Sequence, residues 1–222
     1  MRSLAILRPE PGASATLECA LQLGLDAFSL PLFEVVAVDW AAPDPDGFDA
    51  VLLTSANALR NGGEALKEWR GYPAYAVGAA TAEAARKAGF GIAAVGDQGV
   101  LRLLGSIDPE LRLFHPCGSD RIDIGETGHM IKSVPVYESR AIEKVVGITR
   151  LEGCVALVHS PRAGRRLAEL ASSKSTIAIA AISAAAAAAA GPGWERIAIA
   201  DTPEDEALLA LARRLCNNRV GQ

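Results

Sequence analysis

Short aliphatic runs alternate along the chain with longer stretches whose apolar residues recur at helical spacing. The runs 3–7, 26–30, 49–53, 73–77, 91–95, 111–115, 130–133, 155–158, 176–182 and 196–200 predict strands. The stretches 13–23, 57–69, 80–88, 98–105, 161–171, 184–190 and 204–216 predict helices. Strands separated by helices of this length form βαβ units, whose parallel sheets are covered by helices on both faces. The clearest helix start is Thr202-Pro203-Glu204-Asp205. There threonine caps, proline takes the first helical position, and the acids meet the positive end of the helix dipole. Segment 117–129 is a weaker helix candidate, short and interrupted by Gly125 and Gly128.

The pattern occurs twice. Val51-Leu52-Leu53-Thr54-Ser55 returns as Ala156-Leu157-Val158-His159-Ser160, and Ala76-Val77-Gly78 as Ala181-Ile182-Ser183, both at an offset of 105. Ser29-Leu30-Pro31-Leu32-Phe33-Glu34 returns as Ser133-Val134-Pro135-Val136-Tyr137-Glu138, and Leu4 to Pro9 more loosely as Leu111 to Pro116. Any one of these is a generic strand-to-helix turn. Four in one order at nearly one spacing describe two copies of an α/β unit.

The proline-centred stretches 31–39 and 134–142 are β-prone but stand outside the strand–helix rhythm, as edge strands or extended linkers do. If both are linkers, the chain crosses between lobes twice. The expected fold is α/β: two Rossmann/flavodoxin-like parallel-sheet lobes joined by a two-stranded linker. Lobe one is 1–32 plus 143–222, lobe two is 41–133, and 33–40 and 134–142 connect them.

Composition narrows the class. The 222 residues are 50% hydrophobic and 5% aromatic, with 42 alanines, so the cores are aliphatic and the helices small-faced. A net charge of −4 argues against wrapping nucleic acid. The longest apolar run, Ile177 to Ala190, is too short to span a bilayer, and the first residues lack the features of a signal peptide. Cys19, Cys117, Cys154 and Cys216 are scattered with no C-x-x-C pair, as in reduced proteins of the cytoplasm.

Familiar catalytic constellations are missing: no P-loop, no dinucleotide-binding glycine fingerprint, no H-E-x-x-H and no G-x-S-x-G. His115, His129 and His159 have no metal-ligand spacing; His159, at a strand end, reads first as a histidine meeting solvent or a carbonyl. What recurs is strand, small polar residue, helix start. Arg8-Pro9, Thr54-Ser55-Ala56-Asn57, Gly78-Ala79-Ala80-Thr81 and His159-Ser160-Pro161 each sit at the carboxyl end of a strand. Singly, the hydroxyls are helix caps worth ~1 kcal/mol. Aimed together from two lobes at one cleft, they suit a ligand with many carboxylates or phosphates. Arg8, at a strand end, is the best-placed cation; Arg165-Arg166 reads as a solvated face. Tyr137 stands where the repeat has Phe33, either as a proton donor or as a packing residue, and residues alone favour packing.

In their order and spacing these landmarks resemble the uroporphyrinogen-III synthase family over nearly the whole chain. Arg8-Pro9, Leu30 to Glu34, Asp49 to Asn57, Ala76 to Thr81 through Phe90, Val134 to Tyr137 and Ser160-Pro161 carry the resemblance. It implies a cofactor-free and metal-free cyclising hydro-lyase. The substrate is the eight-carboxylate bilane hydroxymethylbilane, closed to uroporphyrinogen III with inversion of the last pyrrole ring and loss of water. Tyr137 matches the family tyrosine that assists departure of the hydroxyl. Arg8, Ser55, Asn57, Gly78, Thr81, Gly118 and Ser160 are the expected substrate contacts. The chain is expected to be a cytoplasmic monomer that meets the preceding pathway enzyme at most transiently. One departure is Ser183-Ala184-Ala185-Ala186, where the second copy lacks the hydroxyl of Thr81. The rival readings are a non-catalytic two-lobed binder of a small polyanion and a nucleotide-sugar transferase, the latter disfavoured for want of a diphosphate-binding glycine motif.

Overall fold

In a computed structural model, which describes residues 2–120, 124–125 and 127–217, the chain runs β1 (Leu4–Ile6), α1 (Gly12–Gln22), β2 (Ala27–Ser29), β3 (Phe33–Ala37) and β4 (Ala50–Leu53). Next come α2 (Ala56–Asn61), α3 (Gly63–Lys67), β5 (Ala74–Val77), α4 (Ala79–Lys87), β6 (Ile92–Gly96), α5 (Val100–Leu104), β7 (Arg112–Gly118) and β8 (Met130–Ala141). It ends with β9 (Val155–Val158), α6 (Pro161–Leu170), β10 (Ala178–Ala181), α7 (Ala184–Ala190), β11 (Arg196–Ile199) and α8 (Asp205–Asn217). No helix among the described residues is long and apolar enough to cross a membrane.

Two compact units result: Met1–Glu34 with Ala141–Gln222, and Val35–Arg140. The first holds a five-stranded sheet, β11-β10-β9-β1-β2, and the second a six-stranded sheet, β3-β8-β7-β4-β5-β6. Strands β9, β10 and β11 thus take the places of β4, β5 and β6, and β1 and β2 those of β7 and β8. The sequence repeat is a repeat of topology. In each sheet the winding reverses once, between β4 and β7 and between β9 and β1. That reversal leaves a crevice at the carboxyl ends of the two strands beside it, where open α/β sheets take ligands.

Alternation along the strands assigns the helices to faces. In the first unit Ala5, Ala156, Val158, Ile179 and Ala181 face α6 and α7, whose Ala163, Leu167, Ala186 and Ala190 meet them. The intervening Leu4, Ile6, Val155, Leu157 and Ala180 face α1 and α8 through Ala13, Ala20, Leu208 and Leu215. Strands buried on both faces read as unbroken apolar runs, which is why they stand out in the sequence. The second unit is built the same way, with Val51 and Leu53 toward α4 and Ala50 and Leu52 toward α5. Eight of the eleven aromatic residues fall in this unit. Trp69 packs on Phe114 with centroids 4.1 Å apart and forms the centre of its core.

Three local expectations change. The helix expected over 57–69 breaks between α2 and α3 at Gly62-Gly63, because Gly63 takes φ 64, a conformation costly for other residues. The last helix starts at Asp205, not at Pro203, and its first bond runs from Leu208 N–H to the Glu204 carbonyl, so Thr202 is not its cap. Residues 112–118 continue as strand into the segment where a weak helix was expected, and no helix forms among its described residues; 121–123 and 126 lie outside them. The stretches 33–40 and 134–142 contain β3 and the end of β8, neighbours in the six-stranded sheet.

Candidate active site

In the second unit, β4 and β7 flank the reversal. Past the end of β4, Ser55 takes an extended backbone and its hydroxyl accepts a hydrogen bond from Asn57 N–H at 3.2 Å, capping α2. Asn57 Oδ1 in turn accepts from Arg60 Nη1 at 3.1 Å. The neighbouring Thr54 hydroxyl is 2.9 Å from His115 Nε2, and His115 Nδ1 is 3.0 Å from the Ser133 hydroxyl. His115 is 2% exposed on β7, the strand between β4 and β8. It therefore links the turn that carries Ser55, after β4, through β7 to Ser133 on β8, and both its ring nitrogens find a hydroxyl, as a buried imidazole's must.

At the end of β5, Gly78 adopts φ 82 before α4, no side chain caps the turn, and a β-carbon there would meet nothing within 4 Å. Thr81 lies buried in the first helical turn. The matching turn of the first unit is closed by a side chain: the Ser183 hydroxyl accepts from Ala186 N–H at 3.2 Å. Ala186, which replaces the threonine, is wholly buried. Its carbonyl oxygen would be 2.7 Å from a β-carbon on Gly164 of α6. A hydroxyl at position 186 would be buried where α6 and α7 pack closely.

At the end of β7, Gly118 underlies the ring of Tyr137. A β-carbon on Gly118 would stand 2.9 Å from ring atoms Cε2 and Cζ and 3.1 Å from the hydroxyl oxygen. The β7–β8 register steps from Cys117 opposite Pro135 to Gly118 opposite Tyr137, skipping Val136. Such a slip moves the next side chain to the other face of the strand. The Ser119 N–H then donates to the Tyr137 carbonyl at 2.8 Å. The Tyr137 side chain is half-buried, and among the described residues no hydrogen bond engages its hydroxyl. Phe33, its counterpart in the repeat, is a core residue of the first unit, with the Arg162 guanidinium 4.5 Å over its ring.

In the first unit the reversal lies between β1 and β9, which carry Arg8 and Ser160 just past their ends. The Ser160 hydroxyl caps α6, accepting from Ala163 N–H at 3.1 Å. Arg8 Nη1 donates to Asp205 Oδ2 at 2.6 Å and to the Thr16 hydroxyl at 3.2 Å. That hydroxyl donates in turn to the same Asp205 oxygen at 2.9 Å. Asp205 Oδ1 faces His159 Nε2 at 3.3 Å. The imidazole side chain is 9% exposed, and neither ring nitrogen completes an aligned hydrogen bond. The adjacent His159 is the largest influence holding the Asp205 carboxyl down to about 2, and Thr16 and the Arg8 charge add to it against partial burial.

The eight residues singled out from the sequence thus fall on two sheet edges. Arg8 and Ser160 lie just past the ends of neighbouring strands of the first sheet; Ser55, Asn57, Gly78, Thr81 and Gly118 stand at or just past the ends of β4, β5 and β7 in the second, and Tyr137 lies within β8 opposite Gly118. Tyr137 and Gly118 touch, and Ser55 holds Asn57. Sequence reasoning did not single out Thr16 or Asp205, nor the Thr54–His115–Ser133 set. Asp205 read only as an acid in a first turn, and its partners are 189 and 197 residues away. Arg166, expected on a solvated face, donates to the Ile142 carbonyl at 2.9 Å. Among the described residues no cluster of His, Cys, Asp and Glu is suited to a metal ion.

Both the sequence and the fold have known counterparts. The family model described as uroporphyrinogen-III synthase HemD matches residues 14–210. The fold is similar to that of uroporphyrinogen-III synthetase from Helicobacter pylori 26695, with TM-score 0.69, 20% identity, and coverage of 97% of this chain and 100% of that one. It is also similar to a mutant uroporphyrinogen III synthase from the extremely thermophilic bacterium Thermus thermophilus, with TM-score 0.54, 18% identity, and coverage of 98% and 100%. No curated relative matches at a significant level. The doubled doubly wound topology and a family match over most of the length lead to one conclusion: this chain belongs to the uroporphyrinogen-III synthase family.

Proposed function

We propose that Tyr137 serves this chain's cyclisation of hydroxymethylbilane to uroporphyrinogen III by donating its hydroxyl proton toward the departing terminal oxygen. The observation that carries this role is the seating of the Tyr137 ring on Gly118, which leaves the phenol oxygen free of partners among the described residues. An electron-rich pyrrole expels its hydroxyl as water once the oxygen is protonated, so one positioned donor is sufficient acid catalysis. The resulting cation is attacked by the substituted carbon of the last ring. The spirocyclic intermediate then reopens and closes with that ring inverted. The carbon proton lost at closure balances the one taken up by the leaving water.

Most of the rate comes from holding a flexible bilane so that the substituted ring carbon, not the free one, reaches the cation. Arg8 and Ser160 at one sheet edge, and Ser55, Asn57, Gly78, Thr81 and Gly118 at the other, are the groups we assign to its carboxylates. Arg8 supplies charge; the helix-start hydroxyls and backbone N–H groups supply neutral donors. The same reading makes the chain a cytoplasmic monomer meeting the enzyme that supplies its substrate only transiently. The test is product identity. Pure protein mixed with freshly generated hydroxymethylbilane should form the III isomer, and formation of the I isomer alone would overturn the assignment.

A further inference from the structure

The Arg8 guanidinium is built into its surroundings more firmly than a surface cation. Its Nε, Cζ and Nη2 atoms crowd the space over Gly12, where a β-carbon would be 2.5, 2.8 and 2.9 Å away. Its Nη1 is spent on Asp205 and Thr16. The Asp205 carboxylate comes from the first turn of α8 and reaches both strands beside the reversal, Arg8 after β1 and His159 after β9. One carboxylate therefore spans the two strand ends at the edge to which Arg8 and Ser160 belong.

We propose that Asp205 is a positioning residue for substrate binding: by anchoring Nη1 it fixes the orientation in which Arg8 presents its other N–H groups to a substrate carboxylate. This rests on the reading of Arg8 as a substrate contact. An unanchored arginine must give up its rotamer freedom when it binds. A guanidinium held by Asp205, Thr16 and the bare backbone of Gly12 has lost that freedom already, and its planar fork is set for a bidentate partner. Asp205 itself touches no reacting atom. Its removal should weaken substrate binding and leave the chemical step nearly intact.

The experiment is steady-state kinetics with hydroxymethylbilane on the wild type, Asp205→Asn, Asp205→Glu, Arg8→Ala and the double variant Arg8→Ala/Asp205→Asn. Asp205→Asn removes the charge at constant shape. Asp205→Glu keeps the charge and displaces it, so loss in both is a loss of geometry and not of the helix start. KM should rise roughly tenfold in each Asp205 variant, with kcat within about threefold of wild type. In the Arg8→Ala background, Asp205→Asn should change KM by less than about twofold, because the two residues act as one unit. An unchanged or lowered KM in Asp205→Asn overturns the proposal, and so does an equal effect in both backgrounds. A wild type that forms no III isomer overturns the parent reading, and this one with it.

Discussion

The ring of Tyr137 occupies the space that a side chain on Gly118 would fill, with the nearest ring atoms 2.9 Å from the missing β-carbon. The contact exists because the β7–β8 register skips Val136. Gly118→Ala should therefore push the phenol off its seat. The expected result is a kcat lower by roughly tenfold or more, with unfolding free energy within about 1 kcal/mol of wild type. A variant with wild-type kcat would show that the seat does not matter to turnover.

Tyr137→Phe keeps the ring on Gly118 and removes only the donor. Turnover should fall roughly tenfold to a hundredfold without being abolished, since positioning supplies most of the acceleration. Rapid-quench measurement of bilane consumption decides this. Unchanged kinetics would reduce Tyr137 to a packing residue.

Helices α6 and α7 meet backbone to backbone: a β-carbon on Gly164 would stand only 2.7 Å from the Ala186 carbonyl oxygen and 3.0 Å from Ala190 N. Gly164→Val should cost ~1–3 kcal/mol of stability by overpacking. Ala186→Thr, which restores the hydroxyl found at Thr81, should cost a similar amount because its site is fully buried. Urea unfolding tests both, and a stabilised Ala186→Thr would contradict the packing account.

Two carboxylates titrate low. Asp49 accepts from Arg112 N–H and Nε at 2.9 and 3.0 Å and from Nη2 at 2.8 Å, and these bonds bring it from 3.8 to about 2. Asp205 is also held at about 2. A carboxyl lowered in the folded state stabilises the fold above its unfolded value near 3.8 and loses that contribution as pH falls toward about 2. Stability should therefore drop across that window, and Asp49→Asn should flatten the drop. Thermal melts between neutral pH and pH about 2 check it; identical slopes in variant and wild type would contradict the assignment.

Much of this was legible in the sequence because doubly buried strands leave continuous aliphatic runs and the repeat marks the same strand ends twice. Leu52 with Leu157 and Gly78 with Ser183 occupy matching places in the two sheets. The helix break at Gly63 was hidden because a glycine pair inside an apolar pattern states no φ. The Tyr137–Gly118 contact depends on a register slip that periodicity does not encode. Asp205 was hidden for another reason: beyond its place in the first turn of α8, its side chain meets Arg8, 197 residues earlier in the chain. Long-range polar partners are products of the fold and have no local signature.

The decisive experiment measures the isomer ratio formed from hydroxymethylbilane in a single turnover, with wild-type protein in excess over substrate and the product oxidised to porphyrin for separation. Nearly pure III isomer is expected, at a rate well above spontaneous closure. A product that stays I isomer at the spontaneous rate, with the bilane bound, would contradict it and leave a polyanion-binding protein in its place.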